Sequence, residues 1–201
     1  MSKKYYAVRV GRKTGIFSTW DECSKQVIGF KGAIYKSFLT KEAAQNFVGN
    51  IEKVEISKDS IKDNEIIAYV DGSYNISTGE FGYGVILLDN HQEITFNKVI
   101  YDDELKNQRN VAGEVFGSMA AIDKAIELKK SKIYIHFDYM GIKAWAIGEW
   151  KTNIQLTKDY KKFIDEKSSL IDIEFIKVKA HSNNKYNDIA DRLAKNAVGI
   201  K

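Results

Sequence analysis

Four carboxylates stand where this chain's elements can bring them to one point. Asp71 closes the run AYVDGSY, and Asp138 closes the run YIHFDYMG. Each run reads as a β-strand, so each acid sits at a strand's carboxyl end. Glu114 opens AGEVFGSMAAIDKAIELKK, in the first turn of a helix lying between those strands in sequence. Asp191 lies in NDIADRLA, on the last helix. A crossover through the intervening helix makes the two strands parallel and adjacent, and open α/β sheets gather ligands at such strand ends. Four converging carboxylates repel one another unless a cation sits among them. Donors that are all oxygen suit hard ions such as Mg²⁺ or Mn²⁺. Singly, each acid has a plainer use. Asp-Gly after a strand makes a turn, Glu in a first helical turn complements the helix dipole, and the Asp of a DR pair solvates a face. The metal reading rests on topology that unites all four.

The elements that must position these acids follow from hydrophobic spacing. EIIAYVDGSY, FGYGVILLDN and EITFNKVIY read as three consecutive strands. In the helix at 112–130, Ala112, Val115, Phe116, Met119, Ile122 and Ile126 form one apolar stripe. KIYIHFD is a fourth strand, with Ile133, Ile135 and Phe137 on one face. Helices at GIKAWAIGE and TKDYKKFIDEK, a strand at IDIEFIKVK and a helix at KYNDIADRLAKNAV complete the pattern. A meander followed by crossovers gives an α/β domain: a mixed sheet flanked by helices over residues 65–201.

Residues 1–49 form a separate small α/β unit of ββαβα type. YYAVRV and IFSTW read as strands around the turn GRKTG, and AIYKSFL as a third. Thr19 followed by Glu22 has capping-box spacing. Thr40 and Gly49 bracket a second helix. Residues 50–64, IEKVEISKDSIKDNE, are polar and poorly periodic and read as a linker. The head carries nine basic side chains against three acidic ones, a net of +6, and the remainder carries −2 of the chain's total of +4. A basic head suits polyanions.

Hydrophobic residues make up 44% of the chain and charged residues 29%, a globular balance. No apolar run is long enough to span a bilayer, and MSKKYYAVRV lacks the features of a secretory leader. Cys23 is the only cysteine, so no internal disulfide forms, and nothing marks it as a nucleophile. The expectation is a monomeric cytoplasmic protein with no membrane partner.

Together YVDGSY, GYGVIL, AGE, HFD and VKAHSNNKYNDIADRLAKNA resemble type 1 ribonuclease H, in the expected order over residues 66–198. The resemblance implies a ribonuclease H-like five-stranded mixed sheet with flanking helices. It implies an endonuclease that hydrolyses the RNA strand of RNA–DNA hybrids with two Mg²⁺ ions, for which Mn²⁺ can substitute, leaving 5′-phosphate and 3′-hydroxyl ends. Asp71, Glu114, Asp138 and Asp191 become the metal-binding catalytic carboxylates. His181 becomes the mobile histidine assisting the leaving group or product release. Asn110 becomes a contact to the substrate backbone, and Asp188 a supporting acid.

YYAVRVGRKTGIFSTWDEC and GFKGAIYKSFLTKEAAQNFV resemble the N-terminal hybrid-binding, or viroplasmin-like, domain of cellular ribonucleases H. That likeness implies duplex binding through residues 1–49, with Trp20 stacking on a sugar, Tyr6 lining the same surface and Lys36 contacting phosphate. Aromatics interleaved with Lys and Arg suit nucleic acid on physical grounds as well. Some positions depart from the pattern. The basic loop between the middle helices is shortened to AIGEWKTNIQL. Ser37 replaces a second lysine beside Lys36, Tyr139 stands where serine is common, and Val111 stands where a second asparagine is common. A transposase-like nuclease acting on DNA is an alternative on the same fold, and a silent hybrid-coating protein is an alternative of another class. The hybrid-binding head argues against the first, and the four intact acids against the second.

Overall fold

Tyr5–Val10 forms β1, the middle strand of the first unit. It pairs antiparallel with β2 (Gly15–Phe17) and β3 (Ile34–Phe38), in the order β2-β1-β3. This is a computed structural model, and it describes residues 4–30, 32–48, 58–178 and 184–200. The chain divides into two units, Met1–Glu55 and Ile56–Lys201.

Alternate residues of β1 serve two helices. Val8 is buried with Cys23 and Val27 of α1 (Trp20–Val27), and Tyr6 and Phe17 pack alongside. Arg9, of the opposite parity, reaches α2 (Lys41–Val48), where its Nε donates to the Phe47 carbonyl at 2.8 Å. The strand expected over IFSTW stops at Phe17, because Thr19 is already the N-cap of α1. Thr19 Oγ1 accepts from the Glu22 amide and Glu22 Oε2 from the Thr19 amide, each at 3.2 Å. Cys23 is fully buried, and burial pushes its thiol pKa up, as befits a packing residue.

In the second unit β4 (Glu65–Tyr74), β5 (Phe81–Leu88) and β6 (Glu93–Ile100) form an antiparallel meander. α3 (Arg109–Glu127) crosses to β7 (Lys132–Phe137), which lies parallel to β4. α4 (Gly141–Ala146) and α5 (Gln155–Lys167) lead to β8 (Asp172–Lys177), parallel to β7. α6 (Lys185–Ala197) is capped by Asn184, whose side chain accepts from the Tyr186 and Asn187 amides. The sheet order is β6-β5-β4-β7-β8, the five-stranded mixed sheet expected from the sequence. No helix among the described residues is long and apolar enough to cross a membrane.

The main core lies on one face, where Ile66, Ala68, Val70, Ile133, Ile135 and Phe137 meet α3. On the other face Ile67, Tyr69, Ile86 and Leu88 meet Ala190 of α6. β5 is buried along its whole length, so its sequence reads as a continuous apolar run rather than an alternation.

Residues 58–64 belong to the second unit. Ile61 is buried against Ile67 and Tyr69. Asn90 Nδ2 donates to the Ile61 carbonyl at 3.1 Å, and Lys130 Nζ donates to the Asp63 carbonyl at 2.6 Å. Lys130 also pairs with Asp89 at 3.3 Å, both side chains nearly buried. Of the stretch read as a linker, residues 50–57 lie outside the described residues.

Candidate metal centre

The register of the two parallel strands sets the site. Tyr69 lies beside His136, so Asp71 and Asp138, each two residues further on, stand abreast where the pairing of β4 with β7 ends. β4 itself continues to Tyr74 against β5, so Asp71 lies within its strand rather than closing it, while Asp138 follows the last residue of β7. α3 delivers the third acid by crossing β4 at very short range. A Cβ on Gly113 would lie 2.2 Å from the Gly82 carbonyl oxygen and 2.9 Å from Gly72 Cα. A Cβ on Gly72 would lie 2.1 Å from the Asn110 carbonyl oxygen and 2.6 Å from the Glu114 nitrogen. Only glycine permits this approach, which is the physical content of the motifs VDGS and AGE. α3 begins at Arg109, three residues before the sequence reading, so Asn110 occupies its first turn and Glu114 its second. One oxygen from each of Asp71, Glu114 and Asp138 lies within 4.8 Å of the others.

These acids are electrostatically stressed. Burial, then the neighbouring Asp138 charge, pushes the Asp71 pKa up to about 7, against a hydrogen bond to Asp71 Oδ1 from the Gly72 amide at 2.7 Å. Burial, then Asp138 and Asp71, pushes the Glu114 pKa up to about 9, although the Tyr139 amide bonds its carboxylate. Glu114 is only 5% exposed, and its Oε2 has no hydrogen-bond partner among the described residues. An orphaned buried carboxylate oxygen beside two further acids fits a divalent cation. All donors are oxygen, which favours a hard ion.

Asp191 stands close enough to raise Asp71, but its Oδ2 is held by Lys195 Nζ at 2.7 Å, outside the three-acid cluster. Asp188, in the first turn of α6, lines a shallow surface groove with Lys185, Ile189 and Arg192. Asn110 is exposed at the head of α3. His181 lies outside the described residues.

Beside Asp138 the structure adds an aromatic cluster that the sequence reading passed over. The Tyr139 ring lies 5.7 Å from Trp145 and 6.3 Å from Trp150, and the two indoles are 5.9 Å apart. The available signal was three aromatics within twelve residues of a strand-end acid. In the first unit, Trp20 lies 5.8 Å from Tyr6 and 5.7 Å from Tyr35, and it is 42% exposed. Tyr35 therefore joins the surface expected of Tyr6 and Trp20. Lys36, next along β3, points to the opposite sheet face, and its Nζ lies 5.8 Å from the Phe38 ring.

Comparison with known proteins separates the same two regions. The family described as "Ribonuclease H1 N-terminal domain" matches residues 4–48, and the family described as "RNase H" matches residues 63–199. The Ribonuclease H of Saccharomyces cerevisiae is 58% identical over 45 residues, covering 22% of this chain and 13% of that protein. The Ribonuclease H1 of Rattus norvegicus is 26% identical over 256 residues, covering 95% of this chain and 88% of that protein. The chain thus spans a small part of the first and most of the second. Among solved structures, LC11-RNase H1 in complex with RNA/DNA hybrid shares 15% identity at a TM-score of 0.52, covering 66% of this chain and 99% of that one.

Proposed function

The chain belongs to the ribonuclease H family, and on that premise we propose that it is a monomeric cytoplasmic endonuclease cutting the RNA strand of RNA–DNA hybrids. The observation that carries this is the convergence of Asp71, Glu114 and Asp138 where the parallel pairing of β4 and β7 ends. Asp71, Glu114, Asp138 and Asp191 would hold a pair of Mg²⁺ ions, replaceable by Mn²⁺, with Asp71 as the central ligand, Glu114 and Asp138 beside it, and Asp191 joining once free of Lys195. When bound, the ions would supply an activated water and charge relief at the departing 3′ oxygen, leaving 5′-phosphate and 3′-hydroxyl ends. The chain's own residues hold the scissile phosphate in register. Asn110 meets the substrate backbone, Tyr139, Trp145 and Trp150 offer ring faces beside Asp138, and His181 aids departure of the product.

The first unit supplies grip. Tyr6, Trp20 and Tyr35 form a stacking platform, and Lys36 reaches phosphate round the sheet edge, since β3 is an edge strand. Stacking contributes about 1–3 kcal/mol per base, so Trp20→Ala with Tyr35→Ala should weaken hybrid binding roughly 10- to 100-fold. The rate at saturating hybrid should be retained. Fluorescence anisotropy across a salt series checks this, and unchanged affinity assigns the platform to another partner.

Labelled RNA–DNA hybrid, duplex RNA and duplex DNA incubated with Mg²⁺ or with EDTA test the function as a whole. Cleavage confined to the RNA of the hybrid, and lost with EDTA, supports the reading. Cutting of duplex DNA favours the DNA nuclease, and binding without cleavage favours the silent protein.

A further inference from the structure

Behind Glu114 lies a set of polar atoms that the metal reading leaves unused. Ser118 and Tyr160 are both fully buried in the main core. Neither Ser118 Oγ nor Tyr160 Oη meets a partner with full hydrogen-bond geometry among the described residues, and neither does Glu114 Oε2. Three orphaned oxygens in one core are unusual, because a buried polar group left unpaired costs about 1–3 kcal/mol.

Their placement links them. Ser118 follows Glu114 by one turn of α3, on the same helix face. Tyr160 sits on α5, with its hydroxyl close beside Ser118 and within the field of Glu114. A serine inside a helix ordinarily donates back to the carbonyl four residues earlier; Ser118 makes no such bond. Its hydroxyl is therefore free to serve side chains, and a change at χ1 alone re-aims it. Burial pushes the Tyr160 pKa far up, so its proton stays on and it remains a donor. An ionised Glu114 only accepts.

We propose that Tyr160 and Ser118 seat Glu114 for its cation through a hydrogen-bond relay, Tyr160 Oη donating to Ser118 Oγ and Ser118 Oγ donating to Glu114 Oε2. The relay rests on the reading of Glu114 as a metal ligand. Both are positioning residues, acting through Glu114 and touching neither ion nor substrate. The relay fixes which way the carboxylate faces, leaving its other oxygen to the cluster.

The test uses the full chain and Mg²⁺ or Mn²⁺ binding measured by titration calorimetry, beside metal-free melting. Tyr160→Phe keeps the ring and removes one oxygen, and Ser118→Ala removes the other. Partners that orient a metal ligand typically alter affinity 10- to 100-fold, so each single variant should weaken binding about tenfold, and the double variant no further. Metal-free melting should stay close to that of the parent chain, and the cleavage rate should largely recover at saturating metal. Glu114→Gln is the reference. If it loses metal while both relay variants bind as the parent does, or melt lower without any change in binding, the relay is overturned. If Glu114→Gln itself binds metal normally, the reading of Glu114 fails instead. Should Tyr160→Phe not fold, Ser118→Ala alone decides.

Discussion

Asp71→Asn should cut hybrid cleavage by roughly 1,000-fold or more, since a metal site supplies several kcal/mol and each 1.36 kcal/mol is tenfold in rate. Hybrid binding should barely change, because the stacking platform lies in the other unit. The same substitution should stabilise the metal-free protein. Asp71 and Glu114 have folded-state pKa values pushed up to about 7 and about 9, above the unfolded values near 4. For a carboxyl raised on folding, stability is full below the unfolded pKa and is lost as pH rises through the folded one. Metal-free melting temperature should therefore decline from pH 5 to pH 9. Asp71→Asn should flatten the decline around pH 7, and Mg²⁺ should reverse it in the parent chain. His136 acts at the other end. Burial depresses its pKa to about 4, so its contribution is present above its unfolded value of about 6.5 and is lost as pH falls through 4. Scanning calorimetry from pH 3 to 9, with and without Mg²⁺, reads both arms. A metal-free melting temperature that climbs steadily from pH 5 to 9 would contradict the stressed cluster.

Gly113→Ala should be among the most damaging conservative changes in the second unit. The added methyl would meet the Gly82 carbonyl oxygen at 2.2 Å and Gly72 Cα at 2.9 Å. Both are backbone atoms, so no rotamer relieves the clash and α3 must lift off β4. Overpacking in a core ordinarily costs about 1–3 kcal/mol, and a clash without side-chain relief belongs at or above the top of that range. For a domain of this size that is about 10 °C of melting temperature. Glu114 moves with the helix, so metal affinity and cleavage should fall further than the lost stability explains. Gly117→Ala, on the next turn, is the control. Its methyl would meet only the Tyr83 side chain, 3.1 Å from Cβ, and alanine gains up to about 1 kcal/mol in helix propensity. Equal melting of the two variants would show that the close crossing is not what holds α3 in place.

The sequence exposed whatever depends on local spacing. An apolar run gave β4, period-two spacing gave β7, a stripe gave α3, and acids following apolar strand runs marked the site. Thr19 and Glu22, the N-cap and third helical residue of α1, announced where that helix starts. Features made by distant residues stayed hidden. Glu114 comes to Asp71 through a helix crossing that only the Gly72–Gly113 contact explains, and the early start of α3 carries no side-chain cap to read. Tyr160 looks like any core aromatic until α5 is packed on α3. Tyr35 and Lys36 are neighbours in sequence, yet the pleat sends them to opposite faces, so their roles divide only once β3 is paired.

The clasp at residues 61–64 has a mechanical corollary. Ile61, Asp63 and Asn64 are fastened to Asn90, Lys130 and Ser131 just before β4 begins. Asp71 sits six residues further along that strand, about 20 Å away. A pull transmitted along the preceding segment thus arrives at the far end of the central strand and is shared there by two separate loops, those joining β5 to β6 and α3 to β7. The acid cluster lies about 20 Å further along the same strand, so the geometry that must stay fixed during phosphate chemistry is kept apart from the point where tension enters.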